Sequence, residues 1–538
     1  MLSKCEARRV NSRILNSNEP EAKRVPKALG RSRGPSMSWL MMAHLWLFGL
    51  SLASASFARS ISAEGRWIKV AQHGVDSPSF PPCARQSYLG AYGHPLRHVF
   101  ATRQMKCLDE AQADLVAYIE PRDEPFTLIW LQDSGVDVSI RQASPLEEWL
   151  SDPGLHLRTR AQLLKTRAGL HDETQHPIGS VGLDVGIRLE WFAQTHGILS
   201  IDNNLMGYLD TLIPPYVSAV GMTSPFSEDE TGPFLPVPQA SIERVRALIE
   251  GLRFNPDVAS ILSTLSVKDM TADIMHLTGE DGGGILTRHS FSEGALVAAD
   301  WIQKQFEETG AICHQKSFLV GFSPNIICRY EGTGNGTSLV LLSAHYDSRG
   351  SYGSTRAPGA NDDGSGVTHL LAIAKAIKSN KIKFKSPVEL VAFSGEEQGL
   401  FGSQAYAKEL REQGADITLM IQADMLAYHS PTEPMQLGLP EFIGLPEAAW
   451  LLSNVSKIYS PELTVGVTSA CCSDHQSFHL EGFPATQVFE RAGPILDPMY
   501  HNSGDLSKRE GYDLQQVRSI AKVTFSSVLE AAGFVIDS

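Results

Sequence analysis

From Ser338 to the C-terminus, short apolar runs alternate with runs of helical periodicity, and this alternation restricts the chain to few architectures. SLVLLSA, VELVAFSG, DITLMIQAD and FPATQVFE read as strands, whereas GVTHLLAIAKAIKS, FGSQAYAKELREQG and Leu514 to Ala532 read as helices. Nearly continuous apolar strands between amphipathic helices predict an α/β domain, a mostly parallel central sheet with helices on both faces. Ligands of such sheets bind beyond the carboxyl ends of the strands. The chemically important residues should therefore follow directly on each apolar run.

They do. His345-Tyr346-Asp347 follows SLVLLSA, and the loop APGANDDGSG holds Asp362 and Asp363. Glu396 and Glu397 follow VELVAFSG, Asp424 follows ITLMIQA, and Tyr500-His501-Asn502-Ser503-Gly504-Asp505 lies beyond FPATQVFE. Each group carries a nitrogen or oxygen ligand suited to a zinc-like divalent ion. Taken singly, each has an ordinary structural meaning: His-x-Asp is common in cores, Asp-Asp-Gly makes turns, and paired glutamates suit a first helical turn. Together, at the strand ends of one domain, they converge on one sheet edge and predict a metal centre.

In their order, His345-x-Asp347, the run Gly359 to Gly366 (GANDDGSG), Ser394-Gly395-Glu396-Glu397, Asp424-Met425 and Tyr500-His501 resemble the motif series of metallopeptidase family 28. More narrowly, they resemble its secreted bacterial and fungal leucyl-type aminopeptidases, which hold two zinc ions. The likeness runs from about Asn255 to Ser538. It implies the zinc-exopeptidase fold and two Zn2+ per chain, with Asp362 bridging them. His345 and Glu397 would be terminal ligands on separate ions, completed by Asp424 and His501. Asp362 is preferred to Asp363 because it lies three residues before Ser365, as in the family pattern, and a cis peptide between the two aspartates is implied as well. Glu397 would then face a metal, leaving Glu396 to take a proton from the attacking water and return it to the leaving amine. The Tyr500 hydroxyl would stabilise the oxyanion, and Asp347 would hold the ring of His345. Asp505 reads either as a similar support near His501 or as a turn residue. The implied substrates are peptides with a free N-terminus, with apolar first residues favoured by analogy.

One departure concerns Cys471-Cys472-Ser473-Asp474-His475. Family members often carry Cys-x-x-x-Cys before Ser-Asp-His, but Thr468 stands four residues before Cys472. A bond between the adjacent cysteines is disfavoured, since neighbouring Cα atoms are only about 3.8 Å apart. Cys313 with Cys328 and Cys83 with Cys107 are plausible bridges, and His475 reads equally as a substrate-site or a loop residue.

Three rivals share parts of this pattern. Co-catalytic carboxypeptidases and deacylases have the same ligand order, but they insert a dimerisation domain of about a hundred residues before the last histidine. Asp424 and His501 are only 77 positions apart. Glutaminyl cyclases are single-zinc enzymes on the same fold. A non-catalytic binding protein would have lost ligands, and none of the five metal positions or Glu396 is missing.

The chain of 538 residues is long for one core, and its N-terminus reads as a targeting leader. Nine Lys/Arg and three Glu between Lys4 and Arg33 precede Ser38 to Ala58, which contains no Asp, Glu, Lys or Arg. The apolar part, Leu40 to Leu52, fits a signal-peptide core better than a transmembrane helix. Translation from Met37 or a type II anchor are alternatives for the long basic stretch. Expected divisions are residues 1–58 as leader and signal peptide, 59–253 as a mixed α+β propeptide or accessory region, and 254–538 as the catalytic domain. Within the second, FTLIWLQ reads as a strand, PLEEWLSDPGLHLRTRAQLL as an interrupted helix, and TSPFSEDETGPFLPVPQ as a linker. Without the leader's surplus of six positive charges, the net charge of −14 becomes −20. That acidity argues against nucleic acid, and no membrane partner is expected once the signal is removed. Six remaining cysteines and the sequons at Asn335 and Asn454 fit a secreted protein.

Overall fold

The computed structural model describes residues 65–71, 87–93, 96–103, 113–122, 125–140, 186–193, 196–222, 235–334, 338–351, 354–470 and 473–537. The leader, the helical pattern near 145–164, most of the expected linker, Cys83, Cys107, Cys471, Cys472 and the Asn335 sequon lie outside them.

The expected α/β domain forms around a six-stranded sheet. Its order is Ala485–Val488, Ile417–Ala423, Leu339–His345, Val388–Phe393, Asn325–Tyr330 and Ile312–Lys316. The first four strands run parallel, and the last two join antiparallel. Side chains alternate across a strand, and here both faces are buried. Val340, Leu342 and Ala344 join the core with residues of the helices Gly364–Ser379 and Leu514–Ala532. Leu339 and Leu341 face the other way, into a cluster with Tyr406, Ala407, Leu410 and Phe478 from the helices Phe401–Glu412 and His475–Leu480. Burial on both sides explains why these strands read as unbroken apolar runs.

Cys313 and Cys328, directly opposed on the two antiparallel strands, are disulfide-bonded. The helix Gln239–Gly251 precedes the boundary expected at 253/254, yet its Val245 lies in the same core cluster as Val340 and Leu342. Arg244 pairs with Asp416 and Arg246 with Glu447, tying this helix to the α/β domain.

The described part of the N-terminal region is mainly β. One four-stranded antiparallel sheet contains Arg66–Ala71, and a second is ordered Ile187–Ala193, His196–Asp202, Phe126–Asp133 and Val217–Gly221. The strand foreseen in FTLIWLQ is thus in place at Phe126–Asp133. Among the described residues no helix is long and apolar enough to cross a membrane.

Candidate metal centre

Parallel pairing brings the strand ends level. His345 is the last residue of its strand and sits opposite Phe393. The chain beyond Phe393 turns at Gly395 with φ +75°, where a Cβ would come within 2.9 Å of the Phe322 ring. This turn delivers Glu396 and Glu397 beside His345. The next strand ends at Ala423 and places Asp424 at the same edge. Asp362 arrives from the loop before the helix Gly364–Ser379, through a cis peptide to Asp363.

The distances divide the residues into two sets. His345 Nε2 lies 3.2 Å from Asp362 Oδ1 and 3.8 Å from Asp424 Oδ1. His501 Nε2 lies 3.3 Å from Asp362 Oδ2 and 3.2 Å from Glu397 Oε2. Asp363 also approaches His345 and Asp424 closely enough to be a candidate ligand. Its oxygens are already engaged, however, accepting from the backbone N–H groups of His345, Gly366 and Met425. Asp363 caps a helix, and Asp362 is left to face the cavity.

A divalent ion fits these sets. His345 Nε2 and Glu397 Oε1 are buried with no hydrogen-bond partner, a costly state unless a cation completes them. Burial drives Glu396 well above the usual carboxylate range; His345 opposes this, while Asp424 and Glu397 push it higher. Glu397 is raised by burial against the pull of His501. For Asp362 burial acts upward too, but His345 and His501 outweigh it and hold the group low. So much negative charge out of water calls for compensation by metal.

The supporting layer differs from expectation in its details. The Asp347 carboxylate accepts from Ser290 Oγ at 3.0 Å and from the backbone N–H of Glu397 at 3.2 Å. The His345 Nδ1 lies 3.2 Å from the Asp347 main-chain oxygen and 3.5 Å from its carboxylate. Asp347 therefore steadies the glutamate turn as well as the ring. Asp505 accepts from the backbone N–H groups of Asn361 and Asp362, so it holds the Asp362 loop rather than His501. His475 is turned to the carbonyl of Ile443 and does not line the cavity.

Two arginines were invisible to motif reasoning. Arg288 is fully buried and binds the carbonyls of Leu277, Tyr346, Pro358 and Gly359. It thereby joins the His345 and Asp362 loops from below. Arg349 lines the cavity together with Glu396, Tyr500, Met425, Phe489 and Ile495. Ser134 and Ser218, from the N-terminal region, complete the wall. The Tyr500 ring stacks on His501 with centroids 3.7 Å apart. Burial and then Asp362 raise its phenol well above normal, with hydrogen bonding from Ser134 opposing.

Known proteins resemble this chain in sequence and in fold. The model for peptidase family M28 matches residues 325–526. Leucine aminopeptidase 1 of Fusarium vanettenii is 30% identical over 296 residues, 51% of this chain and 72% of that protein. The enzyme of the same name from Sclerotinia sclerotiorum is 30% identical over 290 residues, covering 49% and 73%. Among solved structures, the LapA aminopeptidase of Legionella pneumophila superposes with a TM-score of 0.53 at 16% identity, covering 77% of this chain and all of that one. LapB from the same organism gives 0.54 at 16% identity, covering 76% and 100%. At such identity these two speak for the fold alone.

Proposed function

The chain belongs to peptidase family M28 and is a metallo-aminopeptidase, and from that premise we propose that it holds two zinc ions and removes N-terminal residues, favouring apolar ones, outside the cell. The observation that carries the two-ion reading is the division of Asp362, one oxygen to each histidine. His345, Asp362 and Asp424 would hold one ion, and His501, Asp362 and Glu397 the other.

Bound zinc would supply Lewis-acid chemistry, polarising the scissile carbonyl and acidifying water towards neutral pH. Glu396 lies beside the histidine without being needed as a ligand, its Oε2 4.0 Å from His345 Nε2. Its raised pKa suits it to accept the proton of the attacking water and pass it to the leaving amine. Tyr500 keeps its phenolic proton because of burial and can donate it in a hydrogen bond to the developing oxyanion. Met425, Phe489 and Ile495 give the cavity an apolar side, which supports a preference for apolar first residues.

Secretion rests on the leader pattern and on the even set of six cysteines beyond it. Residues 59–253 would be an accessory or propeptide region ahead of the catalytic domain, with the helix Gln239–Gly251 belonging to the latter.

The test is hydrolysis of leucyl-p-nitroanilide before chelation, after it, and after zinc is restored, with metal content measured alongside. Activity that disappears and returns with two zinc per chain supports the reading. Activity at one zinc, or on glutaminyl or acylated substrates only, points to the rival chemistries on this fold.

A further inference from the structure

The N-terminal region reaches the metal centre directly. His501 Nδ1 lies 2.6 Å from the carbonyl oxygen of Pro215, 286 positions earlier in the chain. For His501 to offer Nε2 to a metal, its ring proton must reside on Nδ1, and that proton needs an acceptor. The other neighbour of Nδ1, Arg349 Nη1 at 3.0 Å, is a donor and cannot fill this role. The Pro215 carbonyl can. Arg349 in turn fixes the segment that carries it, donating from Nη2 to the carbonyls of Ile213 and Pro214, both at 3.0 Å.

The surrounding contacts resemble one core more than a loosely placed cover. Leu209, Leu212 and Ile213 share an apolar cluster with Phe401, against which Phe291, Phe318 and Phe322 pack. Asp210, buried, pairs with His289 at 3.0 Å. Gly221 donates its backbone N–H to Gly399 O, and Ile495 exchanges backbone bonds with Gly135 and Asp137.

We propose that the N-terminal region is a retained half of the active site: the Pro215 carbonyl, held in place by Arg349, is the positioning group that keeps His501 a competent metal ligand. This rests on the two-zinc reading above.

The test is competitive zinc titration of the wild-type chain and of Arg349→Met, together with a wild-type chain carrying a specific protease site inserted between Met222 and Leu235. Wild type binding two zinc ions establishes the underlying reading; wild type binding none defeats that reading separately. Given two sites, Arg349→Met should weaken one of them by about 10–100-fold and leave the other within about twofold, the range expected when a ligand's outer partner is lost. After cleavage, the N-terminal piece should stay bound with both ions and activity kept. If the piece instead departs, both ions remain at wild-type affinity and activity climbs tenfold or more, the region is a removable inhibitor and the proposal fails. Because the cleaved protein retains every native side chain, it decides the matter even should Arg349→Met not fold.

Discussion

Asp362 turns its two carboxylate oxygens to different histidines, Oδ1 lying 3.2 Å from His345 Nε2 and Oδ2 3.3 Å from His501 Nε2. One side chain thus belongs to both halves of the site. Its orientation is imposed by main-chain contacts: Asp505 accepts the backbone N–H of Asp362 at 3.0 Å, while Asp363 is tied to the helix it caps. Arg509, bonded to both Asp497 and Asp505, anchors this layer.

Replacing Glu396 by Gln keeps the shape and removes the proton carrier. We expect kcat to fall by about 10²–10⁴, the usual worth of general acid–base catalysis, with zinc content equal to wild type. Loss of zinc in this variant would instead make Glu396 a ligand.

Tyr500→Phe removes one oxyanion donor while leaving the ring stacked on His501. The expected loss is about 10²–10³ in kcat with KM little changed. Steady-state kinetics on a leucyl substrate separate this from a binding role, which would appear in KM.

Removal of metal should create a pH-dependent instability. Burial raises Glu396 and Glu397 in the metal-free fold, so there they bind more protons than in the unfolded chain. Stability then falls as pH rises above the ordinary glutamate value of about 4.3. The buried His345 and His501 act in the same direction, since the carboxylates around them outweigh burial and raise both; what they contribute is lost as pH climbs through their folded values. Melting of chelated protein from pH 5 to 8 should show a steady decline that zinc abolishes. A flat profile for the chelated form would contradict this account.

Asp210→Ala tests the attachment of the N-terminal region. Burial acts to lower the pKa of His289, but Asp210 outweighs it and the net shift is upward; for Asp210 burial acts upward, and His289 outweighs it to give a net fall. The pair therefore contributes fully between about pH 4 and 6.5, losing its histidine share as pH rises through the raised value and its aspartate share as pH falls through the lowered one. Breaking a buried pair from one side costs about 3 kcal/mol. Denaturant melts at pH 6 should show that loss, and the gap between variant and wild type should narrow at higher pH.

Much of the site was legible because its information is local. Apolar runs mark the strands of a doubly covered sheet, and ligand residue types at their ends mark a candidate metal site, among which the resemblance to metallopeptidase family 28 singles out His345, Asp362, Glu397, Asp424 and His501. The disulfide between Cys313 and Cys328 was foreseen as a candidate, and strand pairing places the two cysteines opposite each other. Asp505 shows where local reading ends: its type and place left open support for His501 or a plain turn, while the fold applies it to Asn361 and Asp362. Arg288 carries no spacing signal, because its partners are four main-chain carbonyls from three separate segments.

The sequence by itself determined the α/β layering and the candidate ligand residue types at the strand ends, since periodicity and residue chemistry are written position by position. Only the tertiary structure decided what completes the site from outside the catalytic domain. A carbonyl oxygen is the same on every residue, so nothing in the identity of Pro215 announces a partner for His501. That contact exists only because two segments 286 positions apart share a core.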